Sequence, residues 1–156
     1  MTSWNMEKLK QAITSSQEMY YRLLLVVGDS GSGKSEILSQ LADIFDISVI
    51  NLNMELSKAL LLMTPKQRAL RLPDILDQIA DQTSNLLILD NLELIFDHDL
   101  RQNPLALLKK ISRNRTIVAS WNGTIVDEHL IYAENGHPEY KRYEVKDFLT
   151  ITADNS

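Results

Sequence analysis

Apolar positions recur along the chain with two periods. Residues 5–20 carry Leu9, Ala12, Ile13, Ser16 and Tyr20 at three- and four-residue spacing, which predicts a modestly amphipathic helix. Leu23-Leu24-Leu25-Val26-Val27 is too short for a helix and apolar throughout, as a strand buried on both faces is. A glycine–serine stretch interrupts it, and helical spacing resumes with Ile37, Leu38, Leu41, Ala42 and Phe45. Residues 47–50 read as a second strand and 54–63 as a helix. Thr64-Pro65-Lys66-Gln67 has a capping-box pattern with proline at the first helical position, so another helix starts there. Pro73 predicts a break or restart in it. Leu86-Leu87-Ile88-Leu89, ahead of Asp90, is a third buried strand. Asn103-Pro104 opens a helix whose apolar face is Leu105, Leu108 and Ile111. Residues 116–121 form a fourth strand, and beyond Asn122-Gly123 short β-like pieces suggest a hairpin around 134–138. A last apolar piece, 148–151, completes the sheet. No internal repeat, low-complexity tract or linker occurs.

Strands alternating with helices predict an α/β fold with a mostly parallel central sheet, whose carboxyl-end loops make the binding crevice. The 156 residues suit one domain with one full core, spanning 1–156, with an N-terminal helix at 1–20 and a hairpin extension at 122–146. With 21 acids against 16 bases the net charge is −5, which argues against a wholesale nucleic-acid coat but not against a local basic patch. The absence of cysteine excludes disulfides, thiol nucleophiles and thiolate metal sites. His98, His129 and His137 lack the close helical spacing of a histidine metal site. No apolar run approaches the ~20 residues of a membrane span, and residues 1–10 show no signal-peptide core, so a cytoplasmic protein without membrane contact is expected.

Gly28-Asp29-Ser30-Gly31-Ser32-Gly33-Lys34-Ser35 matches G-x-x-x-x-G-K-[ST] throughout. Polyphosphate carries several negative charges, and a loop of small residues lets successive backbone N–H groups converge on them. Gly31 and Gly33 admit backbone angles closed to other residues, Lys34 reaches the β- and γ-phosphates, and the Ser35 hydroxyl is a magnesium ligand. A chance glycine–serine turn would not begin at the end of a buried strand and lead straight into an amphipathic helix. ATP with Mg²⁺ is the expected ligand, and the expected architecture is a three-layer P-loop NTPase sandwich.

The partner feature of such a loop is an apolar strand ending in an acid that holds the magnesium shell. Asp90 fills that place. Many hydrolysing P-loop proteins follow this acid with a glutamate, but here the next residue is Asn91, with Glu93 two further on. Glu93 is the candidate base, or else Asn91 positions the water, and slow turnover is expected of the chain alone. Alternation puts Ser120 and Asn122 on one face, where either is a candidate to bond the γ-phosphate or the water, the task of sensor 1 in AAA+ proteins. Asn122-Gly123 reads equally as a tight turn, and Trp121 as core rather than a stacking platform.

Lys109, Lys110, Arg113 and Arg115 crowd a helix end on the side of the sheet away from the phosphate loop. They complement the helix dipole, or Arg113 or Arg115 serves a neighbouring subunit as an arginine finger. Tyr140-Lys141-Arg142-Tyr143 fits a charge-protected sheet edge better than a single-strand nucleic-acid site, which leaves direct DNA binding open. The chain is too short for a helical lid of the AAA+ kind, so nucleotide would be held mainly from one side and a homo-oligomer is expected.

The phosphate loop, Leu89-Asp90-Asn91-Leu92-Glu93-Leu94-Ile95-Phe96-Asp97, Arg101-Gln102-Asn103-Pro104-Leu105, Ser112-Arg113-Asn114-Arg115-Thr116, Trp121-Asn122-Gly123 and Tyr132 through Tyr140 together resemble BrxF, the small P-loop protein of type III BREX bacteriophage-exclusion systems. The likeness covers about residues 20–145, and Asp29 and Ser30 depart from the small or proline residues expected in the loop. It implies an AAA+-like ATPase component of an anti-phage complex, working beside a large ATPase, a DNA methyltransferase and a phosphatase-like protein. The competing reading is an interaction module gated by nucleotide without turnover. A small-molecule kinase has only Lys66, Arg68 and Arg71 for a lid. A GTPase lacks N-K-x-D, and an ABC subunit lacks L-S-G-G-Q.

Overall fold

Strand β2 (Leu23–Gly28) is buried on both faces, and the rest of the sheet is laid out around it. In the computed structural model, which describes residues 2–81, 85–133 and 140–155, the main strands run in the order β3 (Ile50–Asn51), β4 (Leu86–Asp90), β5 (Thr116–Val126), β2, β8 (Leu149–Thr152). All neighbours along this path are parallel. The strand with the acid and the strand leading into the phosphate loop are therefore separated by β5 alone.

Alternation divides each strand between two cores. Leu24 and Val26 of β2, Ile88 and Val118 pack against α1 (Met6–Ser16) and α2 (Lys34–Phe45), through Leu9, Ile13, Leu38 and Leu41. Leu23, Leu25 and Val27 face the opposite layer of α3 (Leu52–Leu60), α4 (Pro65–Asp81) and α5 (Pro104–Ile111). The architecture is a P-loop sandwich with a mostly parallel central sheet.

Several expectations shift. The second strand is not 47–50 but the two residues Ile50–Asn51, because Asn51 caps the next helix, its Oδ1 accepting from the Met54 N–H at 3.1 Å. That helix therefore starts at Leu52 and ends at Leu60. The Thr64–Gln67 capping box forms reciprocally, at 2.9 and 3.2 Å. Pro73 neither breaks nor restarts α4. It has no N–H to offer the Ala69 carbonyl one turn back, and the Gln102 side-chain amide takes that carbonyl instead, at 2.8 Å.

Asn122-Gly123 is not a turn. β5 runs through it to Val126, leaving the parallel sheet to pair antiparallel with β6 (His129–Tyr132), which pairs in turn with β7 (Lys141–Glu144). The turn lies at Asp127 and Glu128, with φ of 51° and 61°. The hairpin expected at 134–138 lies outside the described residues, between β6 and β7. The last strand of the sheet falls one residue later than expected, at Leu149–Thr152, against β2. A pairing with no apolar signature joins the chain ends: β1 (Thr2–Ser3) runs antiparallel to β9 (Asp154–Asn155).

Trp121 is core, 1% exposed, its ring centroid 5.0 Å from that of Phe96 and 5.9 Å from that of Tyr143. Beside it, a Cβ on Gly123 would stand 1.8 Å from the Ile131 carbonyl oxygen, so this crossing of β5 and β6 admits only glycine. Gly123→Ala is expected to destabilise the chain by about 3 kcal/mol, the upper end of overpacking costs, read as a lowered urea midpoint.

Candidate functional site

The parity of the strands builds the site. On β4 and β5 the residues that face α2 are Ile88 and Val118, and two or four positions further on the same face carries Asp90, Ser120 and Asn122. Each side chain thus emerges at the carboxyl edge, beside the start of α2. Gly31 and Gly33 take φ of 82° and 90°, and Gly33 caps α2 without a side chain, so the first N–H groups of the helix are left to face the loop.

Asp90 gathers three donors. Its Oδ2 accepts from Ser35 Oγ at 2.6 Å, and its Oδ1 accepts from Ser120 Oγ at 2.6 Å and from the Asn91 N–H at 2.9 Å. Asn91 sits at φ 57°, a left-handed conformation that asparagine tolerates better than most residues. That turn sends the chain back so that Glu93, at the head of a short 3-10 helix (Glu93–Phe96), reaches the crevice. Glu93 is held from both sides. Asn122 Nδ2 donates to Oε1 at 2.7 Å and Asn53 Nδ2 to Oε2 at 2.8 Å. Asn53 is fixed in its turn: its Oδ1 accepts from the Leu94 N–H at 2.8 Å and its own N–H donates to the Asn91 carbonyl at 2.9 Å.

Lys34 is 6% exposed, and its ammonium donates to the Gly28 and Asp29 carbonyls at 2.9 and 2.7 Å and to Ser32 Oγ at 3.4 Å. Burial lowers its pKa, while the negative charges of Asp90, Asp29 and Glu93 work in the other direction. The cleft it faces has a volume of about 380 Å³ and is lined also by Ser30, Gly31, Ser35, Asn91 and Asn122. Ser35 Oγ and Asp90 Oδ2, hard oxygens side by side, are a donor pair of the kind magnesium takes together with phosphate oxygens and water.

Lys34, Ser35, Asp90, Asn91, Glu93 and Asn122 are thus brought to one cleft. Ser120 is 5% exposed and spends its hydroxyl on Asp90, so it orients the acid from beneath rather than facing the cleft. Arg113 stands apart. The register Leu23↔Ile117 to Gly28↔Asn122 puts the α5–β5 corner about 17 Å from the loop edge. There its guanidinium lies 3.3 Å over the Tyr20 ring and donates to the Tyr20 carbonyl at 2.9 Å. Arg115 is tied to Asp81 and to the Ile111 carbonyl, and Lys110 to Asp77 at 3.4 Å. Tyr143 packs on Trp121, and burial pushes its hydroxyl up to about 12, so this ring is not a free stacking surface.

Two contacts had no sequence signal. Asn53 looks like an ordinary polar position on a helix, and nothing in its spacing links it to an acid 40 residues on. Trp4 lies outside every motif, yet its Nε1–H donates to the Ser32 carbonyl of the phosphate loop at 2.9 Å.

No family model matches the sequence, and no curated protein matches it. Among solved structures the chain is similar to C. elegans PCH-2, with a TM-score of 0.47 and 19% identity over 79% of this chain and 38% of that one. It is also similar to a DNA replication initiation factor, with a TM-score of 0.49 and 14% identity over 95% of this chain and 44% of that one. This chain spans less than half the length of either. Strand order and loop geometry define the P-loop sandwich independently of these likenesses.

The lowered pKa of Lys34 has a sign that can be checked. Between that pKa and 10.5 the unfolded chain holds the proton and the native chain does not, so stability rises with pH across this window. A bound polyphosphate favours the ammonium. Its affinity is therefore expected to fall as pH rises through the same window, with proton uptake on binding, measured by calorimetry in buffers of different ionisation enthalpy.

Proposed function

We propose that the chain is a single-domain, ATP-binding and ATP-hydrolysing subunit that works as an oligomer. The observation that supports this reading best is the meeting of three groups in one cleft: the Lys34 loop, the Ser35–Asp90 pair, and a Glu93 carboxylate held by two amides. Lys34 exchanges its loop carbonyls for the β- and γ-phosphate oxygens, and the backbone N–H groups of the loop and the first turn of α2 cradle the rest. Ser35 and Asp90 are the residues that would hold magnesium, which would supply charge neutralisation at the phosphates. Glu93 has acceptor capacity left on each oxygen beyond the bonds from Asn53 and Asn122, enough to orient a water for in-line attack on the γ-phosphorus. The water gains the phosphoryl group, the bond to the β-phosphate oxygen breaks, and the carboxylate receives the proton.

A second reading is favoured by the same clamp. With both oxygens of Glu93 already bonded, the isolated chain is a slow hydrolase or a nucleotide-gated module until a partner rearranges Asn53 or Asn122. Arg113 fits this picture as a group offered to a neighbouring subunit, since it lies away from the chain's own loop. The resemblance to BrxF supports the finer placing: a cytoplasmic component of a BREX anti-phage complex, with its large ATPase and methyltransferase as partners and DNA as a further candidate. Among the described residues no helix is long and apolar enough to cross a membrane.

Phosphate release measured with light scattering, with and without magnesium, tests the proposal. Lys34→Ala is expected to abolish binding. Glu93→Gln is expected to retain binding while turnover falls by roughly 10²–10⁴-fold. Turnover that rises with protein concentration and loses that rise in Arg113→Ala supports the role in trans, and a flat dependence refutes it.

A further inference from the structure

The end of the sheet opposite the phosphate cleft carries an aromatic and cationic cluster. Residues 140–143 have such a pattern in sequence, but Tyr143 there packs on Trp121. The turn between α1 and β2 and the turn between α5 and β5 build another, which no single stretch of chain shows. Arg22 Nη2 donates to the Arg113 carbonyl at 2.9 Å, and the Arg22 N–H to the Ser112 carbonyl at 3.1 Å. Arg113 Nη1 donates in return to the Tyr20 carbonyl at 2.9 Å, so the two turns are fixed against each other. The Arg113 guanidinium lies 3.3 Å from the centre of the Tyr20 ring. Tyr20 is 64% exposed, so with one ring face under the cation most of the other is in water. Tyr21 meets Tyr20 edge to face, and Lys109 Nζ stands 5.3 Å from the Tyr21 ring and 5.4 Å from that of Phe148.

We infer that this cluster binds single-stranded nucleic acid, with a base stacked on the open face of Tyr20 and phosphates on Arg22, Lys109 and Arg113. At this corner Lys110 is neutralised by Asp77 and Arg115 by Asp81. Among the described residues Arg22, Lys109 and Arg113 have no carboxylate partner. Each of the two guanidinium groups gives one N–H to a carbonyl, which leaves the rest of its fork for anionic oxygens. A base has the flat π surface that completes an Arg–Tyr–base stack, and its phosphodiester brings the charge these cations are missing. A duplex hides its base faces in its own stack, and an acidic peptide brings charge without that plane, so neither uses both halves of the cluster. The inference goes beyond the nucleotide reading and is independent of it, since the cluster lies about 17 Å from the loop edge. Arg113 is central to the cluster, so a bound strand and a neighbouring subunit take this corner in turn.

Anisotropy of labelled oligothymidylate, titrated with the full chain over a range of salt, tests the inference. Oligouridylate is the RNA arm, the strand annealed to oligoadenylate the duplex arm, and polyglutamate supplies charge without bases. Binding of either single strand supports the inference, and the tighter of the two names the sugar. The log of the affinity is expected to fall by about 2 per decade of salt, roughly 0.7 for each of the three cations. Tyr20→Ala is expected to weaken binding on the order of tenfold and Tyr20→Phe to keep most of it. Lys109→Gln, a milder change to the surface, is expected to lower the salt slope by about 0.7. Lys34→Ala is expected to leave strand binding as it is. The inference is overturned if duplex or polyglutamate binds as tightly as single strand, or if Tyr20→Ala and Lys109→Gln change nothing. Strand binding lost in Lys34→Ala also overturns it, since the strand then sits in the phosphate cleft. The ATP reading is decided separately, by nucleotide binding.

Discussion

The carboxylate of Asp90 is the point on which the site depends. It joins a hydroxyl from the phosphate-loop helix, a hydroxyl from the middle strand and the backbone N–H of the residue that turns the chain. These groups are 55, 30 and 1 residues away in sequence, so a single acid fixes loop, sheet and turn relative to one another. Charge-assisted hydrogen bonds of this kind are about twice as strong as neutral ones, which is what holding three segments in one register requires. Asp90 can occupy this position because strand parity brings it to the same face as Ser120 and the start of α2.

The groups expected to act on a ligand are already engaged with one another. Lys34 donates to its own loop, and Glu93 is bracketed by Asn53 and Asn122. Under the proposed function, binding would exchange these partners for ligand oxygens rather than fill an unsatisfied site. The same bonds hold the side chains within reach of the cleft before a ligand arrives, which reduces the ordering cost on binding.

How much of this was legible follows from the range of each interaction. The phosphate loop, the acid at the end of an apolar strand and the burial of Trp121 are local patterns, and a reading of adjacent residues finds them. The β5 extension through Asn122-Gly123 was not legible, because an asparagine–glycine pair marks a turn only where no neighbouring strand needs glycine for clearance. The early start of α3 depended on which residue caps it. Asn53 and Trp4 were invisible because their partners lie 40 and 28 residues away and neither belongs to a spacing rule. The two-residue strands at the chain ends bury too little apolar surface to leave a pattern.

The amide of Gln102 on the carbonyl orphaned by Pro73 ties a helix interior to a segment 33 residues later in sequence. A helix without such a break can form from its own nearest neighbours. In this one a carbonyl in the middle takes its protein partner from the chain that follows β4, across a long closed loop. The proline thereby makes α4 depend in part on a distant segment rather than on its own nearest neighbours alone.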